Sequence, residues 1–217
     1  MRIISCFAAT LDGKIGSAAN LRDRVGSRDD FEHLLDIRNQ ADAILYGGET
    51  FRQHPLLRKG NRQEKAPLQC LLTQSFNLPP DVKLFQESAQ SNPPVPIVIA
   101  SPEPASSAVR ERYPQHIEWL TTGTDNPVPT ILAHLRDKNI ETLMVEGGGH
   151  IFNLFLEAQA VQELYLTLCP LLLGGRNDPS LVTGQGFRVA QAPRTEVLSQ
   201  EWRGQELYLH LKITYPT

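Results

Sequence analysis

Val145-Glu146-Gly147-Gly148-Gly149-His150 is the stretch from which the rest of the chain can be read. Leu143-Met144-Val145 is apolar and predicts a buried strand, and residues 149–157 carry a helical pattern. Glycine has no Cβ, so the backbone between the two can turn tightly and a ligand can approach it closely. The following helix offers unpaired N–H groups and the positive end of its dipole, an arrangement that binds phosphate. A tight strand-to-helix turn without a ligand is the alternative reading. Neither GxGxxG nor GxxxxGK[ST] occurs, so neither a standard Rossmann nor a P-loop fold is indicated.

Strand-like and helical patterns alternate on the N-terminal side of this turn. Residues 2–9 predict a first strand, and residues 10–26 a polar loop holding Asp12-Gly13-Lys14. Ser27-Arg28-Asp29-Asp30 has the form of a capping box, with Asp30 reaching back to Ser27. Phe31, Leu34, Leu35 and Arg38 follow at helical spacing, predicting a helix over 28–40. Strands are expected at 43–46, 68–73, 96–100, 117–120 and 142–145, and further helices at 105–112 and 130–138. Residues 52–66, polar and basic, read as a loop, and 86–96 as a surface connection. The pattern then changes. Residues 161–173 are a long apolar stretch, and 195–202 and 206–215 are alternating runs joined at Arg203-Gly204, as in a hairpin. The expected fold class is α/β, with a mostly parallel sheet closed by antiparallel strands, in one domain over 1–217.

Bulk properties narrow the function classes. The 217 residues are 41% hydrophobic and 21% charged, with a formal net charge of −3. No basic stripe points to nucleic acid or a membrane surface. No stretch approaches the length of a transmembrane helix, and the N-terminal apolar run, followed at once by Asp12 and Lys14, reads as a strand rather than a secretion signal. Cys6, Cys70 and Cys169 are odd in number, widely spaced and set in apolar runs, so buried thiols in a reducing cytosol are expected. The six histidines show no HxH or HExxH spacing, and no metal site is expected.

Four features carry chemistry beside the glycine turn. Gly47-Gly48-Glu49-Thr50 ends another strand, and two such turns at neighbouring strand ends could hold two parts of a dinucleotide. Asp12-Gly13 is first a turn pair, and Lys14 beside it offers a point charge to a carbonyl or phosphate. Glu146 directly follows a buried strand. Half-burial there should raise its pKa, suiting it to accept substrate hydrogen bonds or to shuttle a proton. Arg52, Arg58, Lys59 and Arg62 form a basic cluster that could clamp a substrate phosphate or be a solvated loop.

Taken in order, these motifs resemble those of the pyrimidine reductases of riboflavin biosynthesis, which share the dihydrofolate-reductase-like fold. The family opens with S-L-D-G-[KR]-I, and Thr10-Leu11-Asp12-Gly13-Lys14-Ile15 stands there. A helix ending in L-R and then D-A-[IV]-[LM]-x-G-x-x-T follow. Here these are Ile37-Arg38 and Asp42-Ala43-Ile44-Leu45-Tyr46-Gly47-Gly48-Glu49-Thr50. V-E-G-G appears as Val145-Glu146-Gly147-Gly148, and P-x-[IL]-[LI]-G-G as Pro170-Leu171-Leu172-Leu173-Gly174-Gly175. The motifs span almost the whole chain.

The resemblance implies a three-layer fold with helices on both faces of the sheet. It also implies NADPH-dependent reduction of the ribose of a phosphoribosylamino-pyrimidine to a ribityl chain, with hydride passing to C1′. It puts Ala8, Gly47, Gly48, Thr50, Thr73, Gly147, Gly148, Gly149, His150 and Ile151 at the cofactor. Asp12, Arg38, Leu57 and Arg58 fall to the substrate, with Arg38 and Arg58 as candidates for its 5′-phosphate. Lys14 and Glu146 become the catalytic pair. A homodimer through the late strands is implied, with a small-molecule substrate as the partner. The sequence departs from the family at Gln53-His54-Pro55-Leu56-Leu57-Arg58, which is shorter than D-D-P-x-L-x-x-R and lacks both acids. It departs again near Arg24, where many members carry Trp. No HxE…PCxxC occurs, so any deaminase activity is expected on a separate protein. A paralogous reductase of another pterin- or pyrimidine-like compound, or a non-catalytic NADPH-binding sensor, are the other readings.

Overall fold

A computed structural model describes residues 1–20 and 23–216. Among these described residues nine strands form one sheet, in the order β5-β4-β3-β2-β6-β1-β7-β9-β8. The parallel part comprises β1 (Arg2–Thr10), β2 (Ala43–Gly47), β3 (Leu68–Leu72), β4 (Ile97–Ser101), β5 (Ile117–Thr121), β6 (Thr142–Val145) and β7 (Glu163–Cys169). Then β9 (Glu206–Thr214) runs antiparallel to β7, and β8 (Arg194–Arg203) antiparallel to β9. This is the mostly parallel sheet with a terminal hairpin that the sequence predicts. The central strands read as near-continuous apolar runs because both their faces are covered, as parallel sheets require.

Helices cover the two faces. On one, α5 (Val128–Asp137) and α6 (Gly149–Glu157) pack Ile131, Leu135, Phe152 and Phe155 against Leu45, Cys70, Val98 and Val145. On the other, α1 (Arg28–Arg38), α2 (Gly48–Gln53) and α3 (Lys83–Gln90) bring Ile37, Phe51, Leu84 and Phe85 onto Ile4, Ile44, Tyr46 and Ile99. The short α4 (Ser107–Arg110) is capped by Ser106, whose side chain accepts from the Val109 N–H. Alternate side chains of each strand therefore feed opposite cores.

Two helices lie where loops are expected. Gly47-Gly48 stops β2, yet α2 begins at Gly48 itself, burying Phe51 and ending before Pro55, whose ring forbids continuation. The C-terminal part of α3 occupies residues read as a surface connection. Its apolar face of Leu84, Phe85 and Ser88 is only one turn or so wide. The capping box is half formed. The Ser27 side chain accepts from the Asp30 N–H at 3.3 Å, but the Ser27 N–H donates to Glu206 Oε1 at 2.8 Å, not to Asp30. Cys6, Cys70 and Cys169 are buried free thiols, and no helix among the described residues is long and apolar enough to cross a membrane.

Candidate active site

Chain order fixes where a ligand can sit. The chain passes from β1 to β2, steps outward through β5, and returns to insert β6 between β1 and β2. A sheet whose order reverses in this way leaves a crevice beyond the carboxyl ends of its strands. A cleft of about 1390 Å³ lies there. Residues 47–50 after β2, 73–75 after β3, 122–125 after β5 and 146–151 after β6 line it, with Cys6, Phe7 and Ala8 of β1.

The glycine turn splits into two jobs. A Cβ at Gly149 would collide with the Ser180 carbonyl oxygen, and one at Gly147 with the Ile151 side chain. These two glycines are therefore demanded by packing. A Cβ at Gly148 would meet nothing within 4 Å, so this glycine borders open cleft. Gly148 is also the N-cap of α6 and supplies no side-chain cap. The first helical bond runs from Phe152 N–H to Gly148 O at 3.1 Å. The N–H groups of Gly149, His150 and Ile151 precede it and stay outside the helical ladder. The second glycine turn adjoins the first, since a Cβ at Gly47 would lie 3.1 Å from Ile151 Cγ1.

Glu146 is not the half-buried acid with a raised pKa that its sequence neighbours suggest. Its side chain is 8% exposed, and its carboxylate accepts two bonds of 2.7 Å from Arg38 Nε and Nη2. Arg58 Nε stands 3.3 Å from the second oxygen, with its guanidinium stacked 3.7 Å from the Tyr46 ring centroid. Burial alone would push the Glu146 carboxyl up. The two guanidiniums outweigh it and hold the group below the usual carboxylate range. Burial likewise opposes the charge of Arg38, and Glu146 more than restores it, so Arg38 titrates above an ordinary arginine. The three together carry one net positive charge into the cleft wall.

Arg62 of the basic cluster lies outside the cleft lining, 3.5 Å from Asp36, and every other sequence-nominated residue lines the cleft except Asp12 and Lys14. These two brace the far end of β1 instead. Gly13 takes a left-handed φ of 77°, as an Asp-Gly turn demands. Asp12 accepts from the N–H groups of Gly174 at 2.6 Å and Leu173 at 3.2 Å, and from Thr10 Oγ1 at 2.6 Å. The Thr10 bond is the largest of the influences that bring its carboxyl down to about 2. Lys14 Nζ donates to Ser180 Oγ at 3.1 Å and to the Asp178 carbonyl at 3.3 Å. Both residues thereby anchor the segment that gives Asn177, Pro179 and Thr183 to the cleft.

One lining residue was legible in the sequence only as a helix cap. Asp30 faces the cleft from the first turn of α1. Glu206 of β9 lies close by, held by Ser27 Oγ at 2.6 Å and the Tyr208 hydroxyl at 2.8 Å. Burial and then the charge of Glu206 raise the Asp30 carboxyl, against the opposing pull of Thr167 and Arg24. Glu206 itself is pushed up by burial, but its bonds from Ser27 and Tyr208 carry it below its ordinary value. A carboxyl with a raised pKa and an ionised neighbour suits proton donation.

A family model described as the RibD C-terminal domain matches residues 2–208. The chain is 28% identical over 193 residues to the 2,5-diamino-6-ribosylamino-4(3H)-pyrimidinone 5′-phosphate reductase of Aquifex aeolicus, covering 86% of this chain and 84% of the relative. It is 26% identical to the protein of the same name from Methanothermobacter thermautotrophicus, with 95% of each covered. Among solved structures, a pyrimidine reductase-like protein from Corynebacterium diphtheriae superposes with a TM-score of 0.81 at 18% identity, covering 99% of this chain and 92% of that one. The Thermotoga maritima deaminase/reductase superposes with a TM-score of 0.79 at 21% identity, covering 98% of this chain. This chain spans only 56% of the Thermotoga chain. The two solved structures share the fold of this chain.

Proposed function

The chain belongs to the RibD C-terminal domain family, and we propose that it is an NADPH-dependent reductase of riboflavin biosynthesis, converting the ribose of a phosphoribosylamino-pyrimidine to its ribityl form. The observation that carries this reading is the cleft beyond the parallel strands, walled by an uncapped helix and by Arg38, Glu146 and Arg58. The open face of Gly148 and the free N–H groups of α6 fit the paired phosphates of a dinucleotide. Ala8, Gly47, Gly48, Thr50, Thr73 and residues 147–151 would hold that cofactor. The buried net positive charge of Arg38, Glu146 and Arg58 fits the substrate 5′-phosphate, with Leu57 beside it.

NADPH, when bound, supplies the hydride that adds to C1′. C1′ can accept that hydride only as its bond to the ring oxygen breaks, so the ring oxygen must take a proton to leave as the 4′-hydroxyl. Asp30 suits that donation better than Glu146, because two arginines hold Glu146 ionised. Glu146 instead orients the arginines and accepts substrate hydrogen bonds. Asp12 and Lys14 act as positioning residues, fixing the 173–180 segment against the cleft.

Its reductase domain works as a homodimer in the cytosol. Dimerisation is supported by β8, an edge strand whose Val197 and Trp202 are exposed. The two relatives of nearly equal length bear the diamino-pyrimidinone in their names, so that compound is the first to assay, with its deaminated counterpart beside it. The test is NADPH oxidation on addition of either compound. Turnover of one of them supports the reading. NADPH binding without turnover of either would favour a paralogous reductase, which the altered 53–58 segment motivates, or a sensor.

A further inference from the structure

NADPH differs from NADH by one phosphate, carried on the ribose of its adenosine half. Selecting for it takes a cation at the matching place in the cleft. The loop after β3, Thr73-Gln74-Ser75-Phe76-Asn77, contains neither lysine nor arginine. The cation must therefore come from a neighbouring element.

Among the described residues, five lysine and arginine side chains line the cleft: Arg24, Arg38, Arg52, Arg58 and Lys59. Arg38 and Arg58 are bound to Glu146. Arg24 lies with its guanidinium 3.9 Å from the Phe31 ring centroid, on the α1 side of the cleft. Lys59 adjoins Arg58 at the same end. Arg52 has other neighbours. The last turn of α2 carries it, and its Nη1 reaches across to the Asn77 carbonyl at 3.5 Å. A Cβ built on Gly48 would meet Thr73 Oγ1 at 3.0 Å and Arg52 Nη1 at 3.4 Å. The Thr73 hydroxyl and the Arg52 guanidinium thus crowd the same side of one glycine. Thr73 folds its own loop into a small turn by donating to the Ser75 carbonyl, and Ser75 N–H donates back to Thr73 Oγ1 at 3.3 Å. Arg52 leans over that turn. It is exposed, and the Asn77 contact uses one of its five N–H donors.

We infer that Arg52 binds the phosphate on the adenosine ribose of NADPH and sets the preference for NADPH over NADH. The planar guanidinium would take the phosphate oxygens on two of its remaining donors, with the hydroxyl of Ser75 alongside. The inference rests on the NADPH reading above, and it assigns the cofactor choice to a side chain outside the glycine turns.

Equilibrium titration of NADPH and of NADH tests it, using the wild-type protein, Arg52→Ala and Arg52→Lys. The wild type should prefer NADPH. Arg52→Ala should weaken NADPH by roughly tenfold or more, the loss of a charge-assisted contact, while NADH stays within about twofold. Unchanged NADH binding also reports that the variant is folded. Arg52→Lys should keep part of the preference and should lose it at lower salt than the wild type. Equal weakening of both cofactors by Arg52→Ala, or no weakening of either, overturns the inference and leaves the reductase reading standing. Equal binding of the two by the wild type does the same. A wild type that binds neither cofactor sinks both.

Discussion

Arg38 grips Glu146 through two nitrogen–oxygen contacts of 2.7 Å, with the side chains only 13% and 8% exposed. Arg58 adds a looser third contact at 3.3 Å. The charge on Glu146 is thus a product of α1 and of the segment after α2, not of the strand that carries it. Truncating one partner of such a buried pair strands the other. Arg38→Met should destabilise the fold by about 3–5 kcal/mol in urea unfolding, less whatever Arg58 recovers by closing in. A loss under about 1 kcal/mol, the value of an exposed pair, would count against the pair's structural weight.

The same pair makes a statement about acid. The carboxyl of Glu146 lies below its ordinary value in the folded protein. Its contribution to stability is therefore complete above the unfolded value of ~4.3 and is lost as pH falls through the folded one. Stability measured downward from pH 6 should fall more steeply for the wild type than for Arg38→Met, whose Glu146 has lost its principal partner. Parallel slopes would mean that other carboxylates govern acid unfolding.

Asp30 has the opposite sign. Burial and Glu206 raise its carboxyl, so the folded protein holds that proton above the usual aspartate range. The groups that face it include Glu206 and Tyr208 from β9, Thr167 and Cys169 from β7, Cys6 from β1, and Arg24. If its proton reaches the ring oxygen, kcat is highest below the folded pKa and falls by a factor of ten per pH unit above it. Asp30→Asn should lower kcat by about a hundredfold or more and flatten that limb. NADPH affinity should be retained. A pH profile that survives the substitution unchanged would remove Asp30 from the chemistry.

A feature of this fold is legible in the sequence to the extent that it is local. The turn at 147–149, the strands around it and the terminal hairpin are written in runs of adjacent residues, and each stands where its pattern puts it. In α2 only Phe51 and its glycine start mark a helix, and the same glycines read as a stop. The pKa direction of Glu146 was misread because its two partners are Arg38 and Arg58, brought in from other elements. Asp12 and Lys14 were assigned to the substrate side from a motif, while their bonds run to Gly174, Leu173 and Ser180. Nothing within either local sequence announces those partners.

The three glycines of the turn should separate under substitution. Gly149→Ala puts a methyl into the Ser180 carbonyl oxygen, and that backbone cannot yield without moving the segment that Lys14 holds. Unfolding stability should drop by about 1–3 kcal/mol, the usual cost of overpacking. Gly148→Ala meets no atom within 4 Å, and its φ of −58° suits alanine. Stability should hold or rise by up to about 1 kcal/mol. The added methyl would instead stand in the open cleft beside the uncapped end of α6, so NADPH binding should weaken. If Gly148→Ala binds NADPH as the wild type does, the cofactor phosphates lie elsewhere.

The hairpin at the far edge of the sheet makes the last prediction. Nine of the ten residues of β8 are exposed, though the strand is paired to β9 along its length. Val197 is 56% exposed, Leu198 48% and Trp202 67%, and a bulge between Val197 and Ser199 changes which face the side chains meet. A long edge strand with apolar residues on view invites another chain, because its outer edge offers unpaired main-chain groups as well. A second copy covering this hairpin would bury both. Sedimentation velocity should then find a dimer for the wild type, and Trp202→Glu with Val197→Lys should shift it toward monomer. Neither residue lines the cleft, so NADPH affinity of the monomer should be retained unless dimerisation also orders the site. A wild type that sediments as a monomer at micromolar concentration would leave this surface without the partner proposed for it.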